Sequence, residues 1–435
     1  MEFLVAPGGS VDGEIRVPGD KSISHRAVML GALADGETVV RGFLQGDDAL
    51  ATVAAFRALG VPIDGPRRGE LRIRGVGVDG LRAADGRLDM GNSGTSMRLL
   101  AGILAGQAFA SELVGDASLM RRPMQRIITP LGRMGADIRC GEGGRPPLQI
   151  RGSDLRGIHY DLPMASAQVK SCVLLAGLFA EGETSVTEPA PTRDHTERML
   201  RGFGYEVREK AGAIALTGRG RLNGCDIEVP ADISSAAFFL VAASIAPGSE
   251  LLLTHVGINP TRIGVLRILE LMGADLSLRN QRSIGGEPVA DILVRHAPLR
   301  GIEIPLDLVP LAIDEFPVLF IAAACAEGET ILRGAEELRV KESDRIASMA
   351  EGLSTLGVRN EILDDGIVIS GGPLGGGTIH THHDHRIAMA FAVAALRAES
   401  EIRILDCEHV ATSFPGFDSL ARGAGLKIAV REPEE

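Results

Sequence analysis

The stretch Ala34-Asp35-Gly36-Glu37-Thr38 decides the fold because the chain repeats it, as Ala180-Glu181-Gly182-Glu183-Thr184 and as Ala326-Glu327-Gly328-Glu329-Thr330. Each copy joins an apolar helical stretch to a short β-branched strand, and weaker copies cover residues 108–112, 246–250 and 398–401. A helical pattern then closes on a glycine, which suits a helix C-cap; these glycines are Gly60, Gly135, Gly204, Gly273, Gly357 and Gly425. A period of about 70 residues is too long for a solenoid and predicts six compact βα modules.

Six modules divide into two sets of three, which predicts two lobes with a cleft between them. Prolines mark the seams, at Pro18-Gly19 and at Val229-Pro230-Ala231-Asp232. We therefore expect residues 20–231 to form the first lobe, and residues 1–19 with 232–435 to form the second. The strand-like residues 3–17 precede the first module and are expected to pair elsewhere.

Composition limits the class of protein. The 435 residues are 45% hydrophobic and 23% charged, typical of a globular chain of two or three domains. The net charge of −12 argues against nonspecific nucleic-acid binding. Five widely spaced cysteines predict neither a disulfide framework nor a zinc site. The N-terminal residues do not read as a signal peptide, and the apolar runs are too short to span a membrane. We expect a cytoplasmic protein.

Cationic and hydroxyl side chains are concentrated in Pro18-Gly19-Asp20-Lys21-Ser22-Ile23-Ser24-His25-Arg26, which directly precedes an apolar helical stretch. A helix start offers free N–H groups and a positive dipole end to an anion. A capped surface helix with solvated charges is the alternative for one such motif. Similar cationic clusters beside apolar helices favour anion binding; their cations are Lys21, Arg26, Arg98, Arg121, Arg122, Arg193, Lys341, Arg345 and Arg386.

Four motifs together resemble the EPSP synthase family: the one just quoted, Gly91-Asn92-Ser93-Gly94-Thr95-Ser96-Met97-Arg98, Arg339-Val340-Lys341-Glu342-Ser343-Asp344-Arg345 and Asp384-His385-Arg386-Ile387-Ala388-Met389. Their order and spacing resemble the family over essentially the whole chain. The resemblance implies an inside-out α/β barrel fold with two lobes, each built from three βαβαββ units. It also implies transfer of the enolpyruvyl group of phosphoenolpyruvate to the 5-hydroxyl of shikimate 3-phosphate, with release of phosphate, in aromatic amino-acid biosynthesis.

The resemblance also implies the site residues. The implied shikimate 3-phosphate contacts are Lys21, Ser22, Arg26, Ser166, Ala167, Gln168, Arg193, Asp314 and Lys341. The implied phosphoenolpyruvate contacts are Lys21, Gly94, Arg122, Gln168, Lys341, Arg345 and Arg386. Asp314 is implied to take the proton of the 5-hydroxyl, and Glu342 with Lys21 to act at the methylene carbon. From the residues alone, Asp314 could instead be a helix N-cap, and Glu342 one half of a surface ion pair.

Several further features refine this prediction. The run His380-Thr381-His382-His383-Asp384-His385 invites a metal interpretation, but no second Cys or His cluster completes a ligand set, and no metal or cofactor is expected. Asp384 and His385 are expected to position Arg386, and Asp47-Asp48 and Asp232 to be helix caps.

Thr412 stands where many family members have a lysine that contacts phosphoenolpyruvate. Gly94 stands where inhibitor-tolerant members of one bacterial subgroup have alanine, which predicts that this enzyme is more sensitive to glyphosate than its Gly94→Ala variant. A monomer is expected.

Three rival functions stay open on the residues. The sister enolpyruvyl transferase acting on UDP-N-acetylglucosamine has the same fold but uses a loop cysteine, and residues 116–122 contain none. An RNA 3′-phosphate cyclase would need a nucleotide loop and suits a less acidic chain. A non-enzymatic anion-binding protein would not need Asp314 and Glu342 beside its cations.

Overall fold

The computed structural model describes residues 1–210 and 212–432. The chain divides into two compact units. The first consists of Met1–Pro18, Pro230–Ser283 and Glu287–Glu435, and the second of Gly19–Val229 with Ile284–Gly286.

The first unit opens with strands β1 (Glu2–Val5) and β2 (Asp12–Ile15). The second unit then contains, in chain order, α1 (Lys21–Leu33), β3 (Asp35–Arg41), α2 (Asp47–Ala58), β4 (Ile63–Arg67), β5 (Glu70–Val76), β6 (Leu88–Asp89), α3 (Gly94–Ala105), β7 (Ala110–Val114), α4 (Gln125–Met134), β8 (Asp137–Gly141), β9 (Arg145–Arg151), β10 (His159–Asp161), α5 (Ala167–Gly177), β11 (Glu183–Thr187), α6 (His195–Gly202), β12 (Arg208–Lys210), β13 (Ala213–Thr217) and β14 (Asp226–Glu228).

The remainder of the first unit contains α7 (Ile233–Ile245), β15 (Glu250–Gly257), α8 (Gly264–Leu271), β16 (Asp275–Ile284), β17 (Glu287–Arg295), α9 (Phe316–Ala324), β18 (Glu329–Leu332), α10 (Arg345–Thr355), β19 (Asn360–Leu363), β20 (Gly366–Ser370), β21 (Gly377–His380), α11 (His385–Ala394), β22 (Ile402–Leu405), α12 (Phe417–Ala424) and β23 (Ile428–Arg431).

The second unit contains three four-stranded sheets of one design. Their strand orders are β14-β3-β5-β4, β6-β7-β9-β8 and β10-β11-β13-β12. In each sheet the first two strands are parallel and the remaining pairs are antiparallel. In the two sheets that begin with β6 and β10, the crossover between the parallel strands is a single helix, α3 and α5 respectively, which is the usual connection of a parallel pair. Strand β14, at the end of the unit, completes the sheet of the first module.

The first unit repeats the design with strands borrowed from the N-terminus. Its sheets are β16-β17-β15-β2, β18-β20-β19 and β21-β22-β1-β23. Strand β2 pairs parallel with β15, and β1 pairs antiparallel with β22 and β23. The prediction that residues 3–17 pair outside the first module is thus confirmed. The repeated pattern confirms the predicted βαβαββ units.

The core of each unit consists of helices enclosed by sheets. All residues of α7 and α9 are buried, and α7, α9 and α11 pack on one another in the first unit. In the second unit α1, α3 and α5 are buried along almost their whole length. The strands alternate instead, as in β9, where Leu148 and Ile150 are buried and Gln149 and Arg151 exposed. A fully apolar helix belongs inside and an alternating strand at the surface, so this is the expected inside-out arrangement.

A close backbone approach recurs in three modules. At Gly75, an added Cβ would lie 2.1 Å from the carbonyl oxygen of Ala34, the first residue of the repeated turn. At Gly218 and Gly371 it would lie 2.0 Å and 1.7 Å from the corresponding oxygens of Ala180 and Ala326. No side chain fits at such distances, so the turn packs on the strand end only because glycine is there. The six closing glycines all have positive φ, which confirms their predicted conformation.

Candidate active site

Most of the predicted contacts of the second unit lie near the starts of its three buried helices, whereas Arg122 and Arg193 lie in the segments that precede α4 and α6. Helix α1 begins at Lys21, and the carboxylate of Asp20 accepts the backbone N–H of Ile23 at 2.8 Å. Helix α3 begins at Gly94 after the N-cap Ser93, and α5 begins at Ala167 after the N-cap Ser166. The sequence places a capping residue and then an apolar run at each motif, so each motif becomes a helix N-terminus that favours an anion.

Arg26 is held by groups from three parts of the second unit. Its guanidinium donates to the Ser171 hydroxyl at 2.8 Å, to the Thr196 hydroxyl at 2.6 Å and to the Ser22 carbonyl at 3.0 Å. Arg26 is buried, so these bonds fix a cation in the interior beside the start of α1. Arg193 is half-buried and lies three positions before Thr196, just ahead of α6.

Gly94 and Gln168 connect the starts of α3 and α5. An added Cβ on Gly94 would lie 3.2 Å from Nη1 of Arg122 and 3.4 Å from Nη1 of Arg98. Arg98 donates to the side-chain oxygen of Gln168, whose amide nitrogen donates to Thr95 Oγ1 at 3.0 Å. Glycine at position 94 therefore leaves room for two guanidinium groups at one helix start.

Lys21 pairs with an acid that the sequence assigned to another role. Its ammonium contacts the carboxylate of Asp48. Helix α2 has Gly46 as its N-cap, so the prediction of Asp47-Asp48 as helix caps is wrong. His25 lies one turn further along α1, with Nδ1 2.8 Å from the hydroxyl of Thr52. Burial, and then the neighbouring charges of Lys21 and Arg26, lower the pKa of His25 well below its ordinary value.

In the first unit, Arg345 gathers three carboxylates. Its Nη2 lies 2.7 Å from Oε2 of Glu342, its Nε 2.8 Å from Oδ2 of Asp384, and its Nη1 3.4 Å from Oδ1 of Asp314. Lys341 adds a second cation, with Nζ 3.3 Å from the same oxygen of Asp314. The structure thus brings together both predicted acid–base carboxylates and two predicted cations.

Asp384 anchors this cluster. Besides Arg345, its side chain accepts the hydroxyl of Ser343 at 3.1 Å and the backbone N–H of Arg386 at 3.0 Å, as the N-cap of α11. Burial alone would raise the pKa of Asp384, but the charge of Arg345 lowers it. Burial alone would likewise lower the pKa of Arg345, but Asp384 and then Glu342 raise it. The pair is therefore ionised despite being buried.

Several alternatives from the sequence are settled by these contacts. Helix α9 has Glu315 as its N-cap, so Asp314 is not a cap. Arg121 is exposed whereas Arg122 is buried. Asp232 is the N-cap of α7, as predicted, and also contacts Arg262 at 3.2 Å.

The hydroxyl of Thr412 donates to the carbonyl of His409 at 2.6 Å. It is therefore used within its own turn. This position, a lysine in many family members, carries no charge here.

Sequence reasoning missed three contributors: Asp48, Arg98 as the partner of Gln168, and Asp384 as the partner of Arg345. Asp384 lies inside a quoted motif, but its expected task was to position Arg386 alone. The sequence did show an acidic residue inside the motif. It gave no sign that this acid pairs with Arg345, 39 positions earlier.

Metal-ligating side chains converge elsewhere. Within residues 1–210 and 212–432, a single group of three has its ligand atoms within 4.8 Å of one another: His383, Glu408 and His409. None of them is a predicted substrate contact. Over the same residues, no helix has the length and apolar character needed to cross a bilayer.

Comparisons with known proteins agree with this geometry. The model of the family described as EPSP synthase (3-phosphoshikimate 1-carboxyvinyltransferase) matches residues 5–420. Proteins named 3-phosphoshikimate 1-carboxyvinyltransferase from Alkalilimnicola ehrlichii and Halorhodospira halophila are 66% and 65% identical, each covering 100% of this chain and 98% of the relative.

Solved structures give the same result. An EPSP synthase structure from Acinetobacter baumannii has a TM-score of 0.89 at 58% identity and covers 99% of this chain and 100% of its own. The enolpyruvyl transferase NikO from Streptomyces tendae shares the fold, with a TM-score of 0.78 at 18% identity and 99% of each chain covered. This chain therefore belongs to the EPSP synthase (3-phosphoshikimate 1-carboxyvinyltransferase) family of transferases.

Proposed function

We propose that the two clusters described above carry out the reaction of this family. The chain transfers the enolpyruvyl group of phosphoenolpyruvate to the 5-hydroxyl of shikimate 3-phosphate and releases phosphate. Both substrates are polyanions. The observation that carries the residue assignment is the gathering of cations at helix starts in one unit, and of two carboxylates around Arg345 in the other.

Shikimate 3-phosphate is assigned first to the second unit. Its phosphate and carboxylate would be bound by Lys21, Arg26 and Arg193, with hydroxyl, amide and backbone donors at the starts of α1 and α5; these are Ser22, Ser166, Ala167 and Gln168. Fixed guanidinium groups suit such anions because they donate two parallel hydrogen bonds. The hydrogen bonds that Arg26 donates to Ser171 and Thr196 support this role, since they hold the cation in place before substrate arrives. Asp314 and Lys341 would contact the reacting end of the same substrate.

Phosphoenolpyruvate is assigned to Lys21, Arg122, Lys341, Arg345 and Arg386, with Gly94 and Gln168. Its phosphate and carboxylate together need several cations, and charge on the departing phosphate grows as the bond to carbon breaks. Cations held by buried partners, such as Arg345 by Asp384, do not need to reorganise at that moment. Catalysis would rest on this electrostatic stabilisation and on orientation.

Proton transfer is assigned to Asp314 and to Glu342 with Lys21. Asp314 would take the proton of the 5-hydroxyl as that oxygen bonds to C2 of phosphoenolpyruvate. Glu342 and Lys21 would deliver a proton to C3, which gives a tetrahedral adduct. Loss of phosphate, and of one proton from the methyl group at C3, then restores the double bond. These steps need acid, base and charge stabilisation, and no redox or metal chemistry.

The decisive assay is phosphate release from phosphoenolpyruvate with shikimate 3-phosphate or with UDP-N-acetylglucosamine as acceptor. We expect turnover with shikimate 3-phosphate alone. Asp314→Asn should lower kcat by about 10²- to 10⁴-fold, the usual contribution of a general base. The control variant Asp418→Asn, at a partly exposed position outside the proposed site, should retain the wild-type rate. Turnover with the nucleotide sugar would refute the substrate assignment, and a wild-type kcat for Asp314→Asn would refute the catalytic one.

The remaining expectations concern the setting of the enzyme. We expect a monomer that acts in the cytoplasm. Because the net charge is −12, we also expect that it does not bind nucleic acid. Light scattering after size-exclusion chromatography should give a mass near the 45.8 kDa of one chain. A dimer mass at assay concentration would contradict the monomer.

A further inference from the structure

In the folded first unit, one histidine of the run at residues 380–385 lies beside two other side chains that can bind a metal ion. His383 lies between β21 and α11, and Glu408 and His409 lie in the short helical turn that follows β22. Nδ1 of His383 is 2.8 Å from Oε1 of Glu408, and Nε2 of His409 is 3.8 Å from the same oxygen. The two imidazole rings meet edge to face, with centroids 5.4 Å apart. Two imidazoles thus converge on one carboxylate.

We propose that His383, Glu408 and His409 bind one divalent transition-metal ion, with Zn²⁺ as the best match. Zinc bonds to imidazole nitrogen and carboxylate oxygen at about 2.0–2.2 Å, which sets tetrahedral ligand atoms roughly 3.4 Å apart. The observed separations of 2.8 Å and 3.8 Å lie on either side of that value, so small side-chain rotations would admit the ion. Two nitrogens and one oxygen favour zinc, nickel or copper over magnesium or calcium, which prefer all-oxygen sites.

The neighbouring groups define the site further. His382 points to a different acid, with Nε2 3.0 Å from Oε2 of Glu351, so it is not a ligand. The N-terminal ammonium of Met1 lies 3.8 Å from Oε2 of Glu408. If the carboxylate of Glu408 bound the ion through both oxygens, this ion pair would have to break. All three ligands are partly exposed, with 56%, 45% and 28% of their side-chain surface accessible, so an ion could enter from solvent.

An ion at this site would join two segments that are far apart in sequence. His383 directly precedes Asp384, the N-cap of α11 and the partner of Arg345. Glu408 and His409 belong to the turn that ends at Thr412. The ion would therefore link the entry of α11 to this turn, without using any residue assigned to the substrates.

The test is a Zn²⁺ titration of the full chain without an affinity tag, monitored by competition with a chromogenic chelator. The titration uses a Cys140→Ser background, because Cys140 is an exposed thiol that could itself bind zinc. We expect one saturable equivalent. His383→Gln and His409→Gln should each weaken binding by about 10-fold or more, as loss of a ligand should cost at least as much as loss of a supporting group.

The matched control is His382→Gln, which removes an exposed histidine adjacent to the site that already has another partner. It should leave zinc affinity unchanged. A second measurement excludes misfolding: zinc should raise the Tm of the wild type and of His382→Gln, but not that of His409→Gln, while all three should share one Tm in chelator. Absence of a saturable equivalent, or an equal loss in His382→Gln and His409→Gln, would overturn the site.

Discussion

The buried contact between Arg345 and Asp384 makes a strong prediction about stability. Asp384 is fully buried, and its two oxygens lie 2.8 Å and 3.3 Å from Nε and Nη2 of Arg345. Asp384→Asn removes one charge while keeping the shape of the side chain and the oxygen that caps α11. Among the described residues, Glu342 and Asp314 then remain as the acidic partners of the buried guanidinium.

Removing one partner of a buried ion pair typically costs 3–5 kcal/mol, because the other charge remains desolvated. Two carboxylates stay near Arg345, so we expect the lower end, about 3 kcal/mol. At this size of folding unit, 1 kcal/mol corresponds to roughly 2–4 °C, so calorimetry should show the Tm of the first unit lowered by about 6–12 °C.

The pH dependence of unfolding gives an independent check. The pKa of Asp384 is lowered in the folded state, so its contribution to stability is present above its unfolded pKa of about 4 and is lost as pH falls through the folded value. The difference in Tm between wild type and Asp384→Asn should therefore stay constant from about pH 7 to pH 5, and should narrow below about pH 4.

The control is Asp418→Asn at a partly exposed position of the same unit, where Asp418 lies 3.5 Å from Arg422 one helical turn away. A partly exposed pair one helical turn apart contributes about 0.3–0.5 kcal/mol, so the Tm should change by about 2 °C or less. Equal decreases in the Tm of Asp384→Asn and of Asp418→Asn would show that burial of Arg345 does not determine the loss of stability.

Three further outcomes follow from the contacts described. Gly94→Ala should raise the inhibition constant of glyphosate and the KM for phosphoenolpyruvate, because the methyl group crowds two guanidinium groups; equal inhibition constants in both enzymes would contradict this. Lys170→Met should lower the free energy of unfolding in urea by about 3–5 kcal/mol, since Lys170 is buried 2.7 Å from the buried carboxylate of Glu197. A loss under about 1 kcal/mol would count against it. Cys140 should react with a thiol reagent in the native protein, whereas Cys172, whose pKa burial raises to about 12, should react only after unfolding.

The sequence predicted what depends on local chemistry. The repeated turn, the closing glycines and the capped helix starts all follow from properties of a few adjacent residues, and they were enough to predict the modules. The positions of Lys21, Gly94 and Arg345 at helix starts follow in the same way, because each is preceded by a residue that caps a helix.

Long-range partners could not be predicted in this way. Lys21 pairs with Asp48 on the next helix, and Arg345 pairs with Asp384 on the helix after its own. Many acids in the chain had the same local character, so neither partner had a distinguishing signal. The separation of buried Arg122 from exposed Arg121 likewise depends on tertiary packing rather than on either residue.

The close approach at Gly75, Gly218 and Gly371 has a wider consequence. The same packing contact occurs three times in one polypeptide. Replacing each of these glycines with alanine therefore tests one steric rule in three different surroundings. Glycine recurs at these three positions because the backbone itself forms the contact. The helix starts carry different cations in each module, so their residues are set by the chemistry of each helix start and not by the repeated packing contact.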